Sequence, residues 1–121
     1  MNSKVIDGIG LFNQGDGCWE AEPEALQGAL LSIETTNITS EIEARAKLIC
    51  AVWSDLIPQC IEFIEVNREK YHLCATQFTN PNVFIDSDNE WAIYFDTESE
   101  IDAVVGVEFM GNEPFQLIIG D

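Results

Sequence analysis

Beyond Lys70 the chain contains no lysine and no arginine, although residues 71–121 hold ten aspartates and glutamates. All five basic residues stand at positions 4, 45, 47, 68 and 70, against 22 acids over the whole sequence. Nucleic acid is gripped by neutralising phosphates with Lys and Arg, and anionic membranes attract the same side chains. Direct binding to DNA, RNA or a membrane surface is therefore not expected. No apolar run reaches the ~18 residues of a membrane-spanning helix, and the first seven residues lack the apolar stretch of a signal peptide. The expected location is the cytoplasm. Histidine is nearly absent too, with only His72. One histidine at the end of a helix reads as a cap or surface residue rather than as a catalytic base. No Gly-rich phosphate loop, His-Glu-x-x-His or Cys-x-x-Cys motif is present. Neither an enzyme, a metal site nor a cofactor site is expected.

What remains is a chain of 121 residues with a formal charge of −17 and a pI near 4.1. Like charges repel in the compact state, yet 46% of the residues are hydrophobic and 10% aromatic, unlike a disordered acidic tail. The length fits one domain spanning residues 1–121, large enough to bury a core without staples. Cys18, Cys50, Cys60 and Cys74 read as reduced, mostly buried thiols, as befits a chain that is not secreted.

Three zones follow along the chain. Residues 4–37 read as short strands and turns. Residues 9–12 are apolar, residues 13–17 are turn-forming, residues 18–22 return, and residues 28–36 form a further strand. Residues 24–27 are open to two readings, loop or helical turn. The second zone, residues 40–71, is helical. Ser40 and Glu43 have capping-box spacing. Ile42, Ala46, Ile49, Trp53, Leu56, Cys60 and Phe63 recur at helical steps, and Leu48, Val52, Ile57, Ile61 and Ile64 widen the stripe. Pro58 has no amide hydrogen for the Ser54 carbonyl, so the helix either kinks there or breaks in two. Arg68 and Lys70 would complete its last turn.

The third zone reads as an antiparallel meander of strands at 82–86, 90–96, 103–110 and 114–119, separated by polar connections. Alternation puts Val83, Ile85, Trp91, Ile93, Phe95, Val105, Val107, Phe109, Phe115, Leu117 and Ile119 on one face, packed on the helix. The fold class is thus α+β: a C-terminal antiparallel meander packed on a long, Pro-interrupted helix, with short N-terminal strands. Trp53 and Trp91 belong between the layers. Phe84, Ala92, Tyr94, Val104, Glu108, Gln116 and Ile118 fall on the opposite face, which is unusually apolar for a solvated surface. Either the N-terminal strands or another element covers it, or it contacts a second protein.

Acidic residues crowd the same region. Asp86, Asp88 and Glu90 alternate like the start of an EF-hand loop, but Trp91 stands where that loop needs Gly and Thr97 where it needs the bidentate Glu. Calcium is not expected. Asp96, Glu98, Glu100 and Asp102 alternate through the next connection, and Glu108 follows. With Tyr94 as an apolar anchor, these residues form the candidate partner-binding set: Asp86, Asp88, Glu90, Tyr94, Asp96, Glu98, Glu100, Asp102 and Glu108.

The run Trp91 to Phe95, the acidic loop after it, Val104-Val105-Gly106-Val107-Glu108-Phe109, and Pro114-Phe115-Gln116 with a terminal strand resemble small α+β immunity proteins. Those proteins accompany bacterial polymorphic toxins, including contact-dependent growth inhibition systems. The resemblance covers about the last third of the chain and the plan of helix then meander. It implies a cytoplasmic protein that blocks one cognate toxin domain, often a nuclease, and it transfers no residue roles. A cationic nuclease is also the partner the charge would suit. Two other functions use the same charge: a nucleic-acid mimic that occupies the groove of a DNA- or RNA-binding protein, and a generic acidic protein-binding domain.

Overall fold

A computed structural model describes residues 2–120. The elements run β1 (Ser3–Ile6), β2 (Gly10–Gln14), β3 (Trp19–Ala21), a 3-10 turn (Glu24–Leu26), β4 (Leu31–Ile33), α1 (Ser40–Val66), β5 (Phe78–Ile85), β6 (Glu90–Thr97), β7 (Val104–Met110) and β8 (Glu113–Gly120). The eight strands form one sheet whose spatial order is the sequence order. All neighbours are antiparallel except β4 and β5, which lie parallel and are joined through α1. A parallel pair needs a long crossover, and α1 supplies it. The fold is α+β, as expected. The N-terminal strands do not cover the meander; they extend the sheet beyond β5.

The helix departs from expectation at three points. Its N-cap is Thr39, one residue before Ser40, with the Thr39 hydroxyl accepting from Ile42 N at 3.2 Å. The third helical position is then Ile42, so no carboxylate completes a capping box, and Glu43 instead pairs with Lys47 at 3.1 Å. The helix also continues through Pro58 as one element of 27 residues, about 40 Å long. A mid-helix proline costs about 3 kcal/mol. Burial of Trp53 and Leu56 before it and of Cys60 and Ile64 after it offsets that loss. Finally, α1 stops at Val66 rather than near residue 71. Asn67 turns its side chain back onto the Phe63 carbonyl at 2.8 Å. The Arg68 guanidinium donates to the Leu73 and Ala75 carbonyls at 3.2 and 2.7 Å, so it fastens the following turn instead of capping the last one.

The core lies between α1 and one face of the sheet. Val83, Ile85, Trp91, Ile93, Phe95, Val105, Val107, Phe109 and Leu117 are buried there, with Trp53 of α1 6% and Trp91 3% exposed. Ile119 is partly buried against them. Phe115 is the exception, at 46% exposed. The β7–β8 register slips between Glu108, opposite Gln116, and Phe109, opposite Pro114, leaving Phe115 as the extra residue of a bulge. Trp91 stacks on Phe109 with centroids 4.0 Å apart and donates to the Gly111 carbonyl at 2.7 Å. Arg45 of α1 sits over the Trp91 ring at 5.5 Å and donates to the Asp88 carbonyl and Asn112 Oδ1 at 2.7 and 2.8 Å. One side chain thereby ties the helix to both hairpin turns at that end of the sheet.

The thiols are free, but fewer are buried than expected: Cys60 is buried, Cys18 and Cys50 are partly covered, and Cys74 is exposed. Burial pushes the Cys60 thiol up to about 12.

Candidate functional site: the open face of the sheet

Side chains alternate across each strand, so burial of Trp91, Ile93 and Phe95 under α1 turns Glu90, Ala92, Tyr94 and Asp96 to the other face. Strand pairing lines these up across the sheet. Ser32 stands beside Phe84, Phe84 beside Ala92, and Ala92 beside Glu108, with Gln116 next. The adjoining row runs Asn82, Tyr94, Gly106, Ile118. Among the described residues, no helix or strand lies over this face.

The rows form an open depression of about 390 Å³ lined by Glu34, Asn82, Phe84, Asp86, Ala92, Tyr94, Asp96, Val104 and Glu108. Its centre is apolar. Phe84 and Tyr94 meet edge to face with centroids 5.3 Å apart, and Ala92 is buried. Its rim is four carboxylates, Glu34, Asp86, Asp96 and Glu108, and no cation lines it. Burial first, then the charges of Glu108 and Asp86, hold the Tyr94 phenol above its ordinary value. Asp96 accepts from Asn80 Nδ2 at 3.2 Å, and Glu108 accepts from the Gln116 amide. The two ion pairs found among the described residues, Lys47–Glu43 and Arg68–Glu65, both belong to α1 and the turn after it. The open face is therefore negative without compensation.

The nine candidate residues divide into three groups. Asp86, Tyr94, Asp96 and Glu108 converge on the depression, and Glu90 lies on the same face, opposite Met110. Asp88 and Glu100 are in connections at opposite ends of the sheet, the β5–β6 turn and the β6–β7 loop. Glu98 and Asp102 are engaged internally. Asp102, 5% exposed, accepts from Cys74 N at 2.6 Å and Ala75 N at 3.3 Å. Glu98 accepts from Thr76 N at 2.8 Å and Gln77 N at 3.0 Å, and from the Thr76 hydroxyl at 3.0 Å. Residues 74–77 join the helix to β5 and have no strand to pair with, so their four amides need acceptors. Two acids of the loop supply them. Those amide bonds hold the Glu98 carboxyl down to about 2.

Glu34, Phe84 and Gly106 complete the site and were not among the candidates. Gly106 carried a signal. A glycine inside a Val-Val-Gly-Val strand marks close approach by another group, and here that group is the Tyr94 ring. Glu34 reaches the rim because the parallel β4–β5 pairing, with Glu34 N donating to the Ile85 carbonyl at 2.8 Å, continues past β4. That pairing has no local signal.

A second groove, about 290 Å³, lies between α1 and the hairpin turns and is lined by Leu48, Val52, Leu56, Arg45 and Trp91 among others. Its cation is already held by Asp88 and Asn112. No group of three or more histidine, cysteine or acidic side chains is arranged to hold a metal among the described residues. Among the described residues, no helix is long and apolar enough to cross a membrane.

No protein-family model matches the chain, and neither the curated proteins nor the solved structures searched contain a match.

Proposed function

We propose that this chain is the cytoplasmic immunity protein of a bacterial polymorphic-toxin or contact-dependent growth inhibition system, neutralising a cognate cationic toxin domain, most simply a nuclease. It acts by occupancy rather than catalysis. The observation that carries this reading is the open face of β5–β8: an aromatic, apolar centre inside a rim of carboxylates, on strands with no lysine or arginine. A protein interface draws its holding energy from desolvated aromatic centres, while peripheral charge sets the encounter rate and excludes wrong partners. A nuclease must be positive where it meets nucleic acid, so the two surfaces are opposite in sign. Opposite fields raise association well above the ~10⁵–10⁶ M⁻¹s⁻¹ of neutral partners, which suits an inhibitor that must intercept a toxin on entry.

The test is stopped-flow association with the purified toxin domain encoded beside this gene, measured against ionic strength. The expected result is a rate that falls steeply with salt. Combining Asp86→Lys, Asp96→Lys and Glu108→Lys should slow association and flatten that dependence, whereas Tyr94→Ala should chiefly speed dissociation. Tight binding whose rate ignores salt and survives the lysine substitutions would overturn the electrostatic mechanism. Failure to bind the toxin at all would overturn the immunity assignment, leaving a nucleic-acid mimic or a generic acidic protein-binding domain as the use of the same face.

A further inference from the structure

Tyr94 is held in place by two neighbours at the centre of the open face. Its ring occupies the space where Gly106 lacks a side chain. A methyl group on Gly106 would stand 2.7 Å from Cε2 and 2.8 Å from Cδ2, closer than carbon atoms pack. On the other flank Phe84 presents its ring at 87° to Tyr94. The tyrosine is half-buried, so its orientation is fixed while part of its surface faces solvent. No hydrogen bond to its hydroxyl is found among the described residues. Around it stand Asp86, Asp96 and Glu108.

A group that gains from an aromatic surface and from carboxylates together is a cation. Two side chains qualify, and they differ physically. An ammonium is compact and strongly hydrated, and it gives up water reluctantly to enter a half-apolar depression. A guanidinium is planar and weakly hydrated, packs against aromatic rings, and forks onto carboxylates. The volume, about 390 Å³, is near the lower end of ligand pockets and suits one side chain. We infer that the Phe84–Tyr94 depression seats a single arginine side chain of the protein partner, its guanidinium against Tyr94 and within reach of the surrounding carboxylates. This rests on the open face being the contact surface. It adds the chemistry of the central contact and gives Gly106 a role, since only glycine leaves room for the ring.

The subsite is tested without the toxin. Isotope-labelled protein is titrated with N-acetylarginine amide, N-acetyllysine amide and the uncharged isostere N-acetylcitrulline amide, at fixed ionic strength, following backbone amide shifts. Saturable shifts should cluster at Phe84, Ala92, Tyr94, Gly106 and Glu108 with arginine. Lysine should bind about three- to five-fold more weakly, the scale of one exposed cation–π contact, and citrulline should leave the cluster unmoved. Tyr94→Phe should retain arginine binding, and Tyr94→Leu should weaken it by about the same three- to five-fold. Gly106→Ala should weaken it too, without changing any charge. Shifts scattered over Asp88, Glu100 and other exposed acids without saturation, or equal responses to lysine and arginine, would overturn the inference. Its fate is separable from that of the immunity reading. Arginine seated here without toxin binding keeps the subsite and removes the toxin. Toxin binding without an arginine response at this cluster does the reverse.

Discussion

Trp53 shows how much one residue can carry. It lies midway along α1, is 6% exposed, and faces a sheet whose inner row is Ile, Val, Phe and Trp. Truncating it leaves a void that the neighbouring strands cannot fill, so Trp53→Ala should destabilise by about 3–5 kcal/mol. Urea unfolding followed by circular dichroism measures that loss, and a change below ~1 kcal/mol would remove Trp53 from the core. The thiols separate as sharply. Cys60 is fully enclosed with its pKa pushed up to about 12, whereas Cys74 is exposed. Only the thiolate attacks alkylating reagents. Iodoacetamide at pH 8 should therefore modify Cys74 in the folded protein and Cys60 only after denaturation, as read by peptide mass spectrometry. Periodicity placed Trp53 and Trp91 in the core, because a helix and a strand each declare their buried side through spacing. It misplaced Phe115, because a bulge inserts one residue and reverses the alternation from there to the strand's start.

At the level of elements, the meander was legible in outline because polar turns punctuate alternating strands. The helix was legible through its stripe. Its ends were not, since Thr39 and Ser40 are equally good caps by composition and Asn67 terminates it through a bond back to Phe63. The β1 strand carries two apolar residues beside Ser3 and Lys4, too few to announce itself, and it forms by pairing with β2. The acidic β6–β7 loop has an internal use that its composition does not announce: two of its carboxylates satisfy the amides of residues 74–77. That arrangement has a pH consequence. The Glu98 carboxyl is held at about 2 in the folded protein, below its ordinary 4.5, first by the Gln77 and Thr76 amides. A folded pKa below the unfolded one means the bound carboxylate stabilises fully above pH 4.5. The contribution fades as pH falls through 4.5 and is gone below about 2. Glu98→Gln should therefore lower the melting temperature at pH 7, with the gap to the parent protein closing between pH 4.5 and 2. Melts of both proteins over that range decide it, and a gap independent of pH would mean that shape rather than charge holds the segment.

For the whole molecule the governing fact is an excess of seventeen negative charges with two ion pairs found among the described residues. Four of the five basic side chains are committed near α1, and the fifth, Lys4, stands on β1. Arg45 holds the hairpin turns, Arg68 the turn after the helix, Lys47 pairs with Glu43, and Lys70 lies 5.6 Å from the Tyr71 ring. None comes from the strands that build the open face, so its carboxylates repel one another unrelieved. Screening acts over a Debye length of ~8–10 Å near physiological salt. Adding salt from a few millimolar to ~0.15 M weakens the two exposed pairs slightly and the widespread repulsion much more. The melting temperature should rise, and a fall would mean that attractive pairs dominate. The same reasoning separates stability from function at the rim. Asp86→Asn and Glu108→Gln each remove one repelling charge, so both should raise the melting temperature of the free protein at low salt. If the rim serves a cationic partner, the same two substitutions should slow association with it. Calorimetry on the free protein and stopped-flow rates with the proposed toxin domain, run on one set of variants, test both halves. Stabilisation without slower association would mean that the charge of this face is not what draws the partner in.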